Sequence, residues 1–309
     1  MKIVVTPRGF AKCGIANAQI IKDAGFDLAY NATGLAYTKE EFYQVTMDAD
    51  GVIVGVESVD RAYIDAHPKL KAVVKFGVGT DNIDLDYCKE KGIFVGRTVG
   101  SNARTVAETA ISFALADSKN LYDSFTCTKN HGWVKMTGYE VQGRTIGIIG
   151  FGAIGKQVAR MAWGLGMQVL AYDAYGIDRE AAEAFNVEIT TKEEILRRAD
   201  FVSLHIPLTE QTKGYIGLQE MKQMKPSAVL INTARGGIVD EQDLFLALTQ
   251  GIIKAAYFDV LLCEPPKEDE PLLTLPNFHL TPHIASRSAE AEKNTADMAT
   301  RIMIEALQK

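Results

Sequence analysis

The sequence predicts an α/β protein built from two parallel-sheet domains, Rossmann-like or flavodoxin-like, one of them discontinuous in the chain. Three observations lead there. Short apolar runs alternate with helical segments over residues 1–96 and again from Thr145 onward, the pattern of strands covered by helices on both faces. A glycine-rich turn, Gly150 to Gly155, joins an apolar run to an amphipathic segment. The last amphipathic segment, Ala289 to Leu307, has no strand after it and is expected to return to the first domain. The expected domains are therefore residues 1–98 with 288–309, and residues 99–287.

The 309 residues are comfortable for two domains, and 47% hydrophobic residues supply two cores. A net charge of −6 gives no support for nucleic-acid binding. No apolar run reaches membrane-spanning length, because Lys156 and Arg160 interrupt the longest candidate. The N-terminus, Met1 to Pro7, reads as a short strand rather than a signal peptide. Cys13, Cys88, Cys127 and Cys263 are scattered, with neither C-x-x-C nor metal-like spacing. Reduced cysteines, no metal and a cytoplasmic setting are the expectations.

In the first domain, Ile3–Thr6 is a predicted strand and Ile15–Asp23 a helix ended by Gly25. Asp27–Tyr30 is a strand, and Thr38-Lys39-Glu40-Glu41 has the capping-box pattern of a helix start. Val52–Val54, Ala72–Lys75 and Ile93–Val95 are further strands. No G-x-G-x-x-G follows the first strand, so this domain serves another purpose. After Lys75, Gly77 and Gly79 sit directly past a strand. Two readings stay open: an anion-binding nest of bare N–H groups, or an ordinary loop in which Asp81 or Asp84 caps the next helix.

Residues 97–133 hold a long helical pattern, expected as one helix from Asn102, a good N-cap, to about Phe125. Arg104 on its first turn faces either solvent or the space between domains. The segment Lys129 to Lys135 reads as a loop. In the second domain, strands are expected at Ile146–Ile149, Met167–Tyr172, Glu188–Thr190, Phe201–His205, Ala228–Asn232, Ala255–Val260 and Phe278–Leu280. Helices are expected at Lys192–Arg198, Gly217–Met224 and Glu241–Thr249.

The strand, turn, helix, strand and acid from Thr145 to Asp173 carry the strongest chemical signal. Gly150 permits a sharp turn. Gly152 removes the side chain that would hold a diphosphate off the backbone, and Gly155 lets helix and strand pack closely. The helix start at Gly152, Ala153 and Ile154 offers unpaired N–H groups to that diphosphate. Asp173, 18 residues past Gly155, can accept from both ribose hydroxyls and would repel a 2′-phosphate, so NAD is the expected dinucleotide.

Arg235, Glu264 and His283 sit just past strand ends of the same domain, on one rim. The planar fork of Arg235 suits a carboxylate, and a histidine near a nicotinamide can move the hydroxyl proton while hydride leaves the same carbon. Glu264 would orient that ring. Spacing alone leaves each of them open to a structural role.

The segments NTARGGIVDE (Asn232–Glu241), DV-x-x-x-EPP (Asp259–Pro266), LLTLPNFHLTPHIAS (Leu272–Ser286), LHIPLTEQTKG (Leu204–Gly214) and FGVGTDNID (Phe76–Asp84) occur in order around the glycine turn. Together they resemble the D-isomer-specific 2-hydroxy acid dehydrogenase family over nearly the whole chain. Within it, Thr6-Pro7-Arg8-Gly9-Phe10 and the run Ser101 to Glu108 look most like D-3-phosphoglycerate dehydrogenases, the first enzymes of serine biosynthesis.

The resemblance implies that residues 1–98 and 288–309 bind substrate and residues 99–287 bind NAD. It implies Arg235 as the substrate-binding arginine, His283 as the acid/base and Glu264 as its partner. Asp259 would bond the nicotinamide carboxamide, while His205, Pro207, Thr212, Thr233 and Ala234 would line the cofactor. Lys75, Val78, Gly79 and Asn102 would contact substrate, with the amides of Val78 and Gly79 on its carboxylate. It also implies a homodimer, and no nucleic-acid or membrane partner.

There are departures. Lys75 and Lys135 stand where phosphoglycerate dehydrogenases often have arginine, leaving Arg8 and Arg104 to compensate. The chain ends directly after the returning helix, so no regulation by serine through a further domain is expected. The alternatives are a glyoxylate or hydroxypyruvate reductase and, in another class, an NAD-sensing binding protein like the C-terminal binding protein co-repressors.

Overall fold

The structure, a computed structural model, describes all 309 residues. They form two compact units: Met1–Asn102 with Arg287–Lys309, and Ala103–Ser286. Each is built on its own sheet.

The first unit has five strands: β1 (Lys2–Val5), β2 (Asp27–Tyr30), β3 (Gly51–Val54), β4 (Ala72–Lys75) and β5 (Phe94–Arg97). All pair in parallel, in the order β2-β1-β3-β4-β5. Alternation of side chains sorts them onto two faces. Ile3, Val5, Ile53 and Val74 pack with Ala296, Ala299, Met303 and Leu307 of the returning helix Ala289–Leu307. Val4, Val52, Val54 and Val73 pack with Phe42, Tyr63 and Ile64 on the other face. The returning helix lies so close that a Cβ at Gly51 would fall 2.5 Å from the Met303 sulfur, and one at Gly96 2.5 Å from Ile302. The predicted capping box is present at Thr38. Asp84 caps the helix Leu85–Glu90 through Tyr87 N. That helix, like Phe10–Cys13 and Arg61–Ala66, is too short for periodicity to have announced it.

The second unit has seven strands: β6 (Thr145–Ile149), β7 (Gln168–Tyr172), β8 (Val187–Ile189), β9 (Phe201–Leu204), β10 (Val229–Asn232), β11 (Ala255–Phe258) and β12 (Phe278–Leu280). The order β12-β11-β10-β9-β6-β7-β8, all parallel, places the switch in strand order between β6 and β9.

The single helix expected from Asn102 to Phe125 is instead two, Ala103–Ser118 and Leu121–Lys129. Asn120 between them is left-handed (φ 50°, ψ 40°), a conformation asparagine tolerates. The Ser118 carbonyl, which a continuing helix would use internally, accepts from Tyr139 N at 2.8 Å. Asn102 does not cap with its side-chain oxygen: Oδ1 is buried with no partner. Arg104 pairs with Glu108 on its own helix at 2.9 Å and is exposed.

Candidate active site

The glycine turn lies at the switch between β6 and β9 and divides its work among three positions. Gly150 has φ +99°, and a Cβ there would come 2.5 Å from the His205 carbonyl. A Cβ at Gly155 would collide with the Gly150 carbonyl. Both are required by the protein's own packing. Gly152 is different: a Cβ there meets nothing within 4 Å. It opens the helix Ala153–Gly164 without any side-chain cap, so the N–H groups of the first turn, at Ala153 and Ile154, face an open cradle.

Asp173 follows β7 with a fixed carboxylate. Its Oδ2 accepts from Phe151 N at 2.7 Å and its Oδ1 from Tyr175 N at 2.9 Å. Each oxygen keeps lone-pair capacity for a ligand hydroxyl. At the end of β9, burial pushes the His205 imidazole down to about 3, so the ring is neutral. Its Nε2 lies 2.9 Å from Ser203 Oγ, while Nδ1 is buried without a partner. Thr233 Oγ1, past β10, is also buried and unpartnered. Buried polar atoms without partners are exceptions in folded proteins. With the open cradle at Gly152 and the carboxylate of Asp173, they fit a dinucleotide along this rim. Thr212 serves the loop around it: its hydroxyl donates to the Pro207 carbonyl at 2.6 Å and accepts from Thr209 N at 2.7 Å.

The other half of the rim carries the charged residues. Asn232, the fully buried last residue of β10, donates from Nδ2 to the Arg235 carbonyl (2.9 Å) and accepts at Oδ1 from Ala234 N (3.0 Å). This Asx-type turn presents Arg235, whose guanidinium donates to Ala234 O at 2.8 Å. The next residue must be glycine, because a Cβ at Gly236 would collide with the Leu261 backbone. That contact presses the Arg235 turn against the loop after β11. In that loop Glu264 Oε1 accepts from Leu261 N at 3.0 Å, and Glu241 Oε1 accepts from Leu262 N at 2.6 Å. Burial, with Glu270, Asp240 and Glu264 nearby, raises the Glu241 pKa.

Glu264 Oε2 lies 2.6 Å from His283 Nδ1. The two are 19 residues apart in sequence. His283 is left-handed (φ 53°), an unfavourable conformation for a non-glycine residue that surrounding bonds must enforce. Asp259 supplies them. Only 1% exposed, it accepts from Thr281 Oγ1 at 2.5 Å, Ile284 N at 2.8 Å and Ala285 N at 2.8 Å, and its carbonyl accepts from His283 N. The carboxylate expected to meet a nicotinamide amide thus also clamps the loop that holds the histidine. Spacing pointed to neither this clamp nor the Asn232 turn. The only signal for Asn232 was a turn-forming residue ending an apolar strand.

In the first unit, Lys75 Nζ donates to the Gly55 carbonyl and, at 2.6 Å, to Asn82 Oδ1. The lysine therefore braces the loops after β3 and β4. Gly77 has φ +147° and its carbonyl accepts from Thr98 N and Oγ1, which fixes the turn that carries Val78 and Gly79. Lys135 is exposed.

Comparison with known proteins agrees with this geometry. The family described as D-isomer specific 2-hydroxyacid dehydrogenase, NAD binding domain, matches residues 111–285. The chain is 42% identical over 266 residues to a D-3-phosphoglycerate dehydrogenase of Methanocaldococcus jannaschii, covering 85% of this chain and 50% of that protein. It is 38% identical over 275 residues to a glyoxylate reductase of Korarchaeum cryptofilum, covering 86% of this chain and 82% of that protein. The crystal structure of a glyoxylate reductase from Paecilomyes thermophila superposes with a TM-score of 0.88 at 26% identity, covering 100% of this chain and 96% of that one. The chain thus spans about half the length of the phosphoglycerate dehydrogenase and most of the length of the reductases.

Proposed function

The chain belongs to the D-isomer-specific 2-hydroxyacid dehydrogenase family, and on that premise we propose that it interconverts a D-2-hydroxy acid and its 2-keto acid with NAD. The observation that carries this reading is the Glu264–His283 pair at 2.6 Å, on the same rim as Arg235 and the open glycine cradle.

NAD supplies the acceptor or donor of hydride. The protein's residues do the rest. Arg235 holds the substrate carboxylate with its planar fork and polarises the keto oxygen. Because Nδ1 of His283 faces Glu264, Nε2 is the nitrogen left to exchange a proton with substrate. In reduction, Nε2 gives its proton to the keto oxygen as C2 takes the hydride; oxidation reverses both transfers. Val78 and Gly79 amides, with the unpartnered Oδ1 of Asn102, are the first unit's proposed substrate contacts. Gly150, Gly152, Ala153, Ile154, Gly155, Asp173, His205, Pro207, Thr212, Thr233, Ala234 and Asp259 are the proposed cofactor contacts.

D-3-phosphoglycerate is the proposed substrate, supported by the 42% identity to the M. jannaschii enzyme and carrying with it a place in serine biosynthesis. Glyoxylate or hydroxypyruvate is the second reading. It is favoured by the 82% coverage of the K. cryptofilum reductase and by the lack of a cation in Gly55-Val56-Glu57-Ser58. A homodimer is proposed from the exposed apolar side chains of Tyr122, Phe125, Val134 and Trp133, the last 82% exposed. Four free cysteines suit a reducing cytoplasm.

A panel of 2-keto acids assayed with NADH and NADPH tests the reading. Oxidation of NADH by at least one acid is expected, with NADPH poorer. His283→Ala should lose turnover by about 10²- to 10⁴-fold while still binding NADH. Turnover with no acid would favour the sensor class, and preference for NADPH would overturn the role of Asp173.

A further inference from the structure

A cavity of about 370 Å³ opens in the first unit, within the size range of small-molecule sites. It lies where such a fold binds ligands. Strand β1 sits beside both β2 and β3, so connections leave it in opposite directions, and the crevice falls at the carboxyl ends of β1 and β3. Pro7, Arg8 and Gly9 follow β1, Gly55 to Ser58 follow β3, and Phe76 follows β4. Tyr37, Phe42 and Phe76 give it an apolar wall.

Its charges are unequal in availability. Arg8, Lys39 and Arg287 line it together with Glu57 and Glu292. Glu292 pairs with Arg287 at 3.1 Å, and Glu57 Oε2 accepts from Gly55 N at 2.7 Å. Lys39 lies over the Tyr43 ring, 5.6 Å from its centroid. Arg8 alone among these cations has neither ion pair, hydrogen bond nor ring partner. A guanidinium fork without a partner, on the wall of an apolar pocket, suits a carboxylate, phosphate or sulfonate.

The pocket continues into the proposed substrate turn, since Phe76 is the residue before Gly77-Val78-Gly79. With β3 between them, the ends of β1 and β4 stand about 10 Å apart, two strand spacings. A short carbon chain plus the length of an arginine side chain closes that gap. We infer that Arg8 and this pocket select 2-keto acids carrying a second anionic group at the far end, with the carboxylate at the Val78–Gly79 turn. The inference rests on the function proposed above. It makes Arg8 the specificity-determining residue for the tail, in place of any cation on the loop after β3.

Two measurements separate this inference from that function. In the first, 3-phosphohydroxypyruvate, 3-sulfopyruvate, 2-oxoglutarate and glyoxylate are reduced with NADH by the full chain and by Arg8→Met and Arg8→Lys. The unaltered protein should prefer one of the tailed acids, and which one identifies the anion. Arg8→Met should lower its kcat/KM relative to glyoxylate at least about tenfold, and Arg8→Lys should recover part of the loss. In the second, calorimetry follows binding of 3-phosphoglycerate, D-2-hydroxyglutarate and the neutral-tailed D-glycerate, without turnover. Arg8→Met should weaken the tailed acid about tenfold and leave its margin over D-glycerate gone. Arg8 is exposed, so the thermal midpoint should stay put and report an intact fold. Arg8-dependent binding without any turnover would sustain the pocket and overturn the enzymatic reading. Equal specificity ratios and equal affinities in Arg8→Met would overturn the pocket whatever the enzyme reduces.

Discussion

At the ends of β6 and β7 the proposed cofactor cradle is mostly backbone, an open glycine and a helix start, with one carboxylate tied to two amides. At the ends of β10, β11 and β12 the second unit presents side chains: Asn232 fixes the Arg235 turn from three residues away, and Asp259 fixes the His283 loop from across the sequence. The first half is made by residues 150–173, contiguous in sequence. The second needs Asn232, Gly236, Glu241, Asp259, Glu264 and Thr281 to arrive together. Local construction tolerates change at one open point. Assembled construction depends on several supports at once, each open to a single substitution.

That contrast is open to attack at three places. The largest effect is expected at the clamp. Asp259→Asn replaces one acceptor oxygen by an NH₂ that faces a backbone N–H in the loop after β12. A donor left unpaired there costs about 1–3 kcal/mol of stability, read by urea unfolding. A His283 ring displaced by an ångström costs about 10² in kcat. Full activity in this variant would mean that the loop holds its shape without Asp259.

Next come two glycines in one turn. Gly155→Ala forces a Cβ onto the Gly150 carbonyl, and overpacking of that kind costs about 1–3 kcal/mol. Gly152→Ala meets no protein atom and costs only part of an N-cap preference, so its thermal midpoint should fall less than that of Gly155→Ala while NADH affinity, followed by fluorescence titration, falls. Equal NADH affinity in Gly152→Ala would remove the diphosphate from that cradle.

The last test is a pH dependence. His205 has its folded-state pKa pushed down by burial from an ordinary 6.5 to about 3. Between those values the unfolded chain binds a proton that the folded chain refuses. The contribution of this histidine is therefore complete above about 6.5 and lost as pH falls toward 3. Urea midpoints of the protein and of His205→Gln, measured from pH 7 to pH 4, should converge as acid is added; a constant difference would contradict a neutral buried ring.

The same contrast explains what could be read from the amino-acid order. Parallel strands, the glycine turn and the acid at Asp173 were legible because each is a short-range pattern. The break at Asn120 was not: the apolar spacing runs on from Ala114 to Leu121 and Phe125, and what stops the helix is a carbonyl taken by Tyr139. Glu264 and His283 were nominated by position past strands and by resemblance, but their pairing at 2.6 Å spans 19 residues and no local period encodes it. That Arg287 rather than Arg8 takes Glu292 is likewise encoded in no local pattern.

The closeness of Gly51 and Gly96 to the returning helix bears on the order in which the molecule is made. On the ribosome, residues 103–286 emerge as one uninterrupted unit and can bury their sheet as soon as β12 is out. The first five strands emerge earlier, yet one face of their sheet, part of it already covered by Phe10, Ile21 and Phe26, is completed only by residues 289–307. Until then the narrow trough over Gly51 and Gly96 stays bare, flanked by Ile3, Val5, Ile53 and Val74. The N-terminal unit therefore cannot complete its core until residues 289–307 have emerged, and until then that strip of sheet is open to chaperones or to other nascent chains.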